Sequence, residues 1–136
     1  MPPQATPSGD DTDGTALPAV SLRIATLVKR SDFLKAARSH REHTQGFVLQ
    51  ARKRVPGEAE GIRVGFTCSK KVGNAVARNR AKRRLREVAR LHLPHVGLDG
   101  LDYVLIGRAG ATAALPFAAL VKDFRRAAEK LNSNLS

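Results

Sequence analysis

Between Lys70 and Arg90 the chain carries nine lysines or arginines and a single carboxylate, Glu87. Seven of those cations lie from Arg78 onward, where apolar residues recur at helical spacing. With Ala77 placed at zero degrees, Ala81, Leu85, Val88 and His92 fall within about 80° of it. Asn79, Arg83, Arg86 and Arg90 gather on the opposite side, Lys82 borders them, and Arg80 and Arg84 flank the apolar stripe. Like charges three and four residues apart destabilise an isolated helix by roughly a few tenths of a kcal/mol per pair. Such a face costs stability until an anion relieves it. Arginine suits phosphate because its planar fork donates two parallel hydrogen bonds. Asn79 can donate and accept, which fits a ribose hydroxyl or a base edge. The pattern points to an arginine-rich helix over roughly Ala75 to His92 that grips RNA. The competing readings are a solvated charged face and a membrane-surface helix. The latter is disfavoured because the stripe is mostly alanine, without Trp or Phe.

No comparable pattern supports chemistry on protein side chains. A metal-dependent nuclease needs converging carboxylates to hold Mg²⁺. Outside the first twenty residues the acids are Asp32, Glu42, Glu58, Glu60, Glu87, Asp99, Asp102, Asp123 and Glu129. Asp99 and Asp102 are close in sequence, but they look like the entry to a strand. His40/His43 and His92/His95 lack acid or cysteine partners at metal spacing. Cys68 sits inside an apolar alternation and reads as a buried, inert thiol. As the only cysteine it excludes an internal disulfide and fits a reducing compartment.

Several elements must position the helix. Ser31 is a plausible N-cap for a first helix, with Asp32 in the first turn and Phe33, Leu34 and Ala37 on one face. Gly46 ends a polar stretch, and Phe47 to Arg52 reads as a strand. Val55 to Gly61 is turn chemistry. Ile62 to Ser69 alternates, with Ile62, Val64, Phe66 and Cys68 facing a core. Gly73-Asn74 separates this strand from the arginine helix, which Pro94 and Gly97 should stop. Leu101 to Ile106 is an apolar strand. A last helix begins near Pro116 and buries Phe117, Leu120, Val121, Phe124, Ala128 and Leu131. The expected fold is an α/β (α+β) two-layer sandwich of three helices on a small mixed sheet, in the order α-β-β-(β)-α-β-α.

The 136 residues favour one domain, and 24 Lys+Arg against 12 Asp+Glu give a formal charge of +12. Residues 1–20 hold Asp10, Asp11 and Asp13 and no cation, so they sum to −3 and the remainder to +15. That first stretch has little to bury and reads as a disordered acidic, Pro-rich tail preceding a domain over 21–136. A field of +15 calls for a polyanion. No run of about 18 apolar residues occurs and no secretory signal opens the chain, so the expected location is cytoplasmic, with no membrane partner.

The central residues also carry a resemblance. Lys70-Lys71-Val72-Gly73-Asn74-Ala75, then Arg78-Asn79-Arg80, Lys82-Arg83 and Arg86, resemble the signature of the bacterial ribonuclease P protein component. Arg63-Val64-Gly65 before them fits as well. So do Lys29-Arg30-Ser31-Asp32-Phe33, Phe47-Val48-Leu49 and Asp102-Tyr103-Val104. The resemblance covers about residues 22–131.

This resemblance implies the protein subunit of a ribonucleoprotein endoribonuclease, which removes the 5′ leader of precursor tRNA. The catalytic RNA supplies the active site and works with Mg²⁺, and the protein side chains bind no metal of their own. The partners implied are that RNA and precursor tRNA, with no obligate protein partner. The implied fold has a left-handed crossover around the arginine helix, against the usual right-handed rule. Lys70, Lys71, Asn74, Arg78, Asn79, Arg80, Lys82, Arg83 and Arg86 fall on the RNA-binding motif, and the helix-face reading adds Arg90. Phe33 matches a cleft aromatic for leader bases, and Ser69 the strand end beside the cleft. Core packing is the competing reading for Phe33. Two positions depart from the family pattern. Ala37 stands where a second aromatic is common, and Gln50 stands at another aromatic position on the cleft strand. Arg52, Lys53 and Arg54 could compensate electrostatically. The alternative assignment is a structural RNA-binding protein of ribosomal-protein type. A DNA-binding protein would need a reading motif that is not recognisable here.

Overall fold

In the computed structural model, which describes residues 24–58 and 60–135, the alternating stretch Ile62–Cys68 is a strand with two distinct faces. The acidic segment 1–20 and the boundary expected at residue 21 lie outside the described residues. In chain order the elements are β1 (Ile24–Thr26), α1 (Arg30–Ala37), β2 (His40–His43), β3 (Phe47–Lys53) and β4 (Ile62–Cys68). A 3-10 turn (Lys70–Val72), α2 (Ala75–Val96), β5 (Leu101–Gly107), α3 (Ala111–Ala114) and α4 (Phe117–Leu135) follow. The described strands form one mixed sheet in the order β1-β4-β5-β3-β2. β4 is parallel to β1 and β5, whereas β3 is antiparallel to β5 and β2.

Alternation divides the strands between two cores. Phe47, Leu49 and Ala51 of β3, Ile62 and Val64 of β4, and Tyr103 and Leu105 of β5 pack against Leu85, Val88 and Leu93 of α2 and Leu120, Phe124 and Leu131 of α4. Phe47 and Phe124 meet with ring centroids 6.4 Å apart and planes tilted by 44°, a favourable offset geometry. On the other face a small cluster of Leu27, Ala36 and Val104, with Phe33 and Ile106 beside it, seats α1. The two large helices therefore share one side of the sheet, and α1 covers part of the other.

Several boundaries differ from the sequence expectation. α1 starts at Arg30, after Lys29, and no side chain caps it, so Ser31 lies inside the first turn. Asp32 and Ala36 are the buried positions, while Leu34 is exposed and Ala37 half-buried. Leu34 and Ala37 of the expected face line a groove, and Phe33 both lines it and packs against the small core of Leu27, Ala36 and Val104. α2 continues through Pro94 to Val96. The proline forfeits one backbone bond near the helix end. Buried Leu93 and the Asn132 amide, which donates to the Val96 carbonyl at 2.7 Å, hold the last turn in place. Gly97 then closes the helix, its N–H bonding the Leu93 carbonyl at 2.7 Å. Ala89 and Leu93 complete the buried stripe, and His92 is only half-buried. β2 is the third strand that the expected order allowed between α1 and α2, whereas β1 and α3 are additional to the expected elements.

Candidate RNA interface

Asn74 begins α2 as its N-cap, its Oδ1 accepting the Ala77 N–H at 3.0 Å. This satisfies one otherwise unpaired donor of the first turn. From there α2 runs about 33 Å at 1.5 Å per residue. Ala81, Leu85, Val88, Ala89 and Leu93 lie beneath it. Asn79, Arg80, Arg83, Arg86 and Arg90 point outward and are exposed, whereas Arg78, Lys82 and Arg84 are half-buried. The arginines are not equivalent. The Arg84 guanidinium turns in and donates to the Thr112 and Ala113 carbonyls, both at 2.8 Å, which pins α3 to α2. Arg86 lies 5.5 Å from the Phe66 ring centroid, a cation–π arrangement that holds its fork at the helix flank. Arg90 donates to both oxygens of Glu87 at 2.7 and 2.9 Å, and that contact holds the Glu87 carboxyl below its ordinary range. Among the described residues, Arg83 and Arg86 have no ion-pair partner. No described carboxylate answers these two positive charges on one exposed face.

At the N-terminal end of α2, Thr67, Cys68, Arg78, Asn79 and Lys82 surround a polar recess. The Cys68 thiol donates to the Arg78 carbonyl at 3.6 Å, and burial pushes its pKa up. This agrees with an inert thiol and argues against a nucleophile.

A second candidate surface lies across the sheet. α1 stands over β3 and β5, with Phe33 reaching Gly65 of β4, and leaves an open groove of about 460 Å³. Phe33, Leu34 and Ala37 form its helical wall, and Gln50, Thr67, Val104 and Ile106 its floor. Thr67 lines both this groove and the polar recess, so the groove leads to the cationic start of α2.

Behind the groove is a charge cluster that sequence reading missed. The Asp102 carboxylate is fully buried on β5. Its Oδ1 and Oδ2 accept from Arg63 Nε and Nη2, each at 2.8 Å, and Oδ1 also accepts from Arg54 at 2.5 Å. Arg52 adds a 3.4 Å contact and binds Glu58 at 2.7 Å. The Val55 N–H and then Arg52 hold the Glu58 carboxyl below its ordinary range. Arg63 also reaches Asp32 of α1 at 3.5 Å. The Asp102 hydrogen bonds are the main reason that Arg63 is held above its ordinary pKa. Strand register gave the available signal, since Arg52 and Arg63 both stand opposite Asp102. One expectation is corrected here. The Arg54 side chain is 1% exposed and is committed to Asp102 and to the Leu101 and Gly61 carbonyls, so it cannot compensate electrostatically in the groove.

Residues 23–132 match the family described as Ribonuclease P. The chain belongs to the ribonuclease P protein family. It is 65% identical over 120 residues to the ribonuclease P protein component of Ruegeria pomeroyi, covering 85% of this chain and 96% of that protein. The Caulobacter vibrioides protein component is 44% identical over 115 residues, covering 85% and 76%. The fold is similar to that of the Staphylococcus aureus RNase P protein (TM-score 0.62, 26% identity, 78% and 94% covered). It is also similar to that of the Thermotoga maritima RNase P protein (TM-score 0.56, 26% identity, 71% and 91% covered).

The expected site residues separate into three settings. Lys70 and Lys71 are exposed in the 3-10 turn leading into α2, and Asn79, Arg80, Arg83, Arg86 and Arg90 are exposed on the helix itself. Asn74 has a capping role, and Arg78 and Lys82 line the recess beside β4. Of the groove residues, Phe33 and Gln50 lie in its lining. Ser69 is exposed just beyond β4, outside that lining, and Arg52 is drawn away to Glu58 and Asp102.

Proposed function

We infer that this chain acts as the protein subunit of ribonuclease P, binding the catalytic RNA and the 5′ leader of precursor tRNA while the RNA carries out cleavage. The outer face of α2, centred on Arg83 and Arg86, meets the catalytic RNA. The groove between α1 and the sheet takes the unpaired leader, with Phe33 available for base stacking. The observation that carries this reading is the unpaired arginine face on one side of the sheet, with an open, largely apolar groove on the other. Such a groove suits single-stranded nucleic acid, because every base offers a π-face and stacking is tolerant of sequence. Among the described residues no three His, Cys, Asp or Glu side chains come together to hold a metal. In this reading Mg²⁺ is bound and used by the RNA.

Substitution separates the two surfaces. Arg83→Ala with Arg86→Ala should weaken assembly with the catalytic RNA and lower the salt slope of binding by up to about two. Phe33→Ala should leave assembly intact and weaken precursor tRNA binding by the holoenzyme, with mature tRNA binding unchanged. Equal losses for precursor and mature tRNA would remove Phe33 from leader recognition.

A further inference from the structure

Gly65 lies in the middle of β4, where a residue with a side chain would ordinarily pack better. Its backbone has no positive φ to require glycine. The reason lies above it. A Cβ at position 65 would stand 2.6 Å from both Cε1 and Cζ of Phe33, and 3.1 Å from the Leu27 Cβ. An aromatic ring cannot bend away like the end of a flexible side chain, so any substituent must shift Phe33 or lift α1.

The same helix is tethered one residue from Phe33. Asp32 is 8% exposed and accepts from Arg63 Nη1 at 3.5 Å. Arg63 lies two residues before Gly65 on the same strand face and is clamped onto buried Asp102 through two 2.8 Å bonds. α1 has eight residues and no capping side chain. A helix that short is unstable alone, so outside contacts decide where it sits. Its apolar support on the sheet is the small cluster of Leu27, Ala36 and Val104. Asp32, Arg63, Asp102 and Gly65 are all absent from the groove lining, whereas Phe33, Leu34 and Ala37 form its wall.

We propose that Gly65 and the Asp32–Arg63–Asp102 relay are positioning residues that set the height of α1 above the sheet, and thereby the preference of the groove for precursor over mature tRNA. This rests on the groove being the leader site. Gly65 supplies the clearance, and the relay supplies the attachment. Neither touches the leader, and both act through the placement of Phe33.

The test uses holoenzyme reconstituted from the full chain and the catalytic RNA. Affinities are measured for precursor tRNA, for mature tRNA, and for protein with RNA. Gly65→Ala should lower precursor affinity about fivefold or more, a partial loss of one stacking contact. Mature tRNA binding and assembly should not change. Asp32→Asn, which keeps the shape and removes the charge, should act in the same direction with a smaller effect. The deciding comparison is a double-mutant cycle. In a Phe33→Ala background, Gly65→Ala should cost almost nothing further. Additive losses would overturn the proposal, as would equal losses for precursor and mature tRNA. Should Gly65→Ala fail to fold, Asp32→Asn and its cycle with Phe33→Ala decide the matter, and an unchanged precursor preference in Asp32→Asn overturns it. If Phe33→Ala itself leaves the precursor preference intact, the leader-site reading fails. If Phe33→Ala lowers it and the positioning variants do not, only the present proposal fails.

Discussion

Replacing Asp102 by asparagine keeps the shape of the side chain and removes the one charge that three arginines share. Asp102 is fully buried, and its partners Arg54, Arg63 and Arg52 have side-chain exposures of 1%, 17% and 13%. Breaking a buried ion pair from one side costs about 3–5 kcal/mol, because the opposite charge remains buried without compensation. In this cluster each arginine retains a second acceptor. Arg54 keeps the Leu101 carbonyl at 2.9 Å, Arg63 keeps Asp32 at 3.5 Å, and Arg52 keeps Glu58 at 2.7 Å. Against that, an asparagine NH₂ would face at least one guanidinium as donor against donor. The expected loss is therefore near the lower end, about 3 kcal/mol. That corresponds to a fall of about 10–15 °C in Tm for a domain of this size. Thermal and urea unfolding measure it, with the urea slope unchanged if the denatured state is unaffected. Added salt should leave the difference intact, since buried pairs are poorly screened. The exposed Glu87→Gln change is the control and should leave Tm unchanged. A loss below about 1 kcal/mol for Asp102→Asn would refute the reasoning, because the cluster would then behave like a surface ion pair.

Two further outcomes follow from the same geometry. Burial pushes the Tyr103 hydroxyl up to about 12, against a weaker opposing hydrogen bond donated by the Leu98 N–H. The folded state therefore favours neutral tyrosine. Its stability contribution holds below pH 10 and is lost between about pH 10 and 12, by up to about 2.7 kcal/mol. Tyr103 is the only tyrosine in the chain, so tyrosinate absorbance reads its midpoint directly, and a midpoint near 10 in folded protein would contradict the burial. Arg84→Ala should lower stability by about 1–3 kcal/mol by releasing α3 from α2, without changing the salt slope of RNA binding; a changed slope would place Arg84 on the RNA face.

The sequence was most legible where one repeating pattern met one surface. The alternation of Ile62 to Cys68 and the 3.6-residue stripe through Ala81, Leu85 and Val88 each gave both an element and its buried side. Short or polar elements gave no such signal. β1 has three residues, and β2 reads His-Arg-Glu-His, so neither offers an apolar period, and hydrogen bonds to β4 and β3 define them instead. Pro94 reads as a stop because local chemistry says so, while its tolerance depends on Leu93 below and Asn132 from a helix some forty residues away. Asp102 looked like an ordinary strand entry. Its role depends on which strands flank β5, and that is a property of topology. The arginines of α2 were visible as a group, but their division into unpaired, paired and structural members required coordinates.

The sheet order has a consequence for how the chain is made. β5 lies between β3 and β4 and is hydrogen-bonded to both. β3 and β4 come off the ribosome first, yet they share no edge with each other. A nascent chain that ends before Leu101 has two long strands each open on the edge that β5 will fill, three arginines still without the Asp102 carboxylate, and α2 without β5 or α4 against it. The cationic helix is thus synthesised before β5 and α4, which complete its seat. Sheet closure must then join residues such as Arg52 and Asp102 across a long stretch of chain, a non-local step that slows folding. Through that interval the newborn protein exposes both its cationic helix face and open strand edges, in surroundings crowded with RNA.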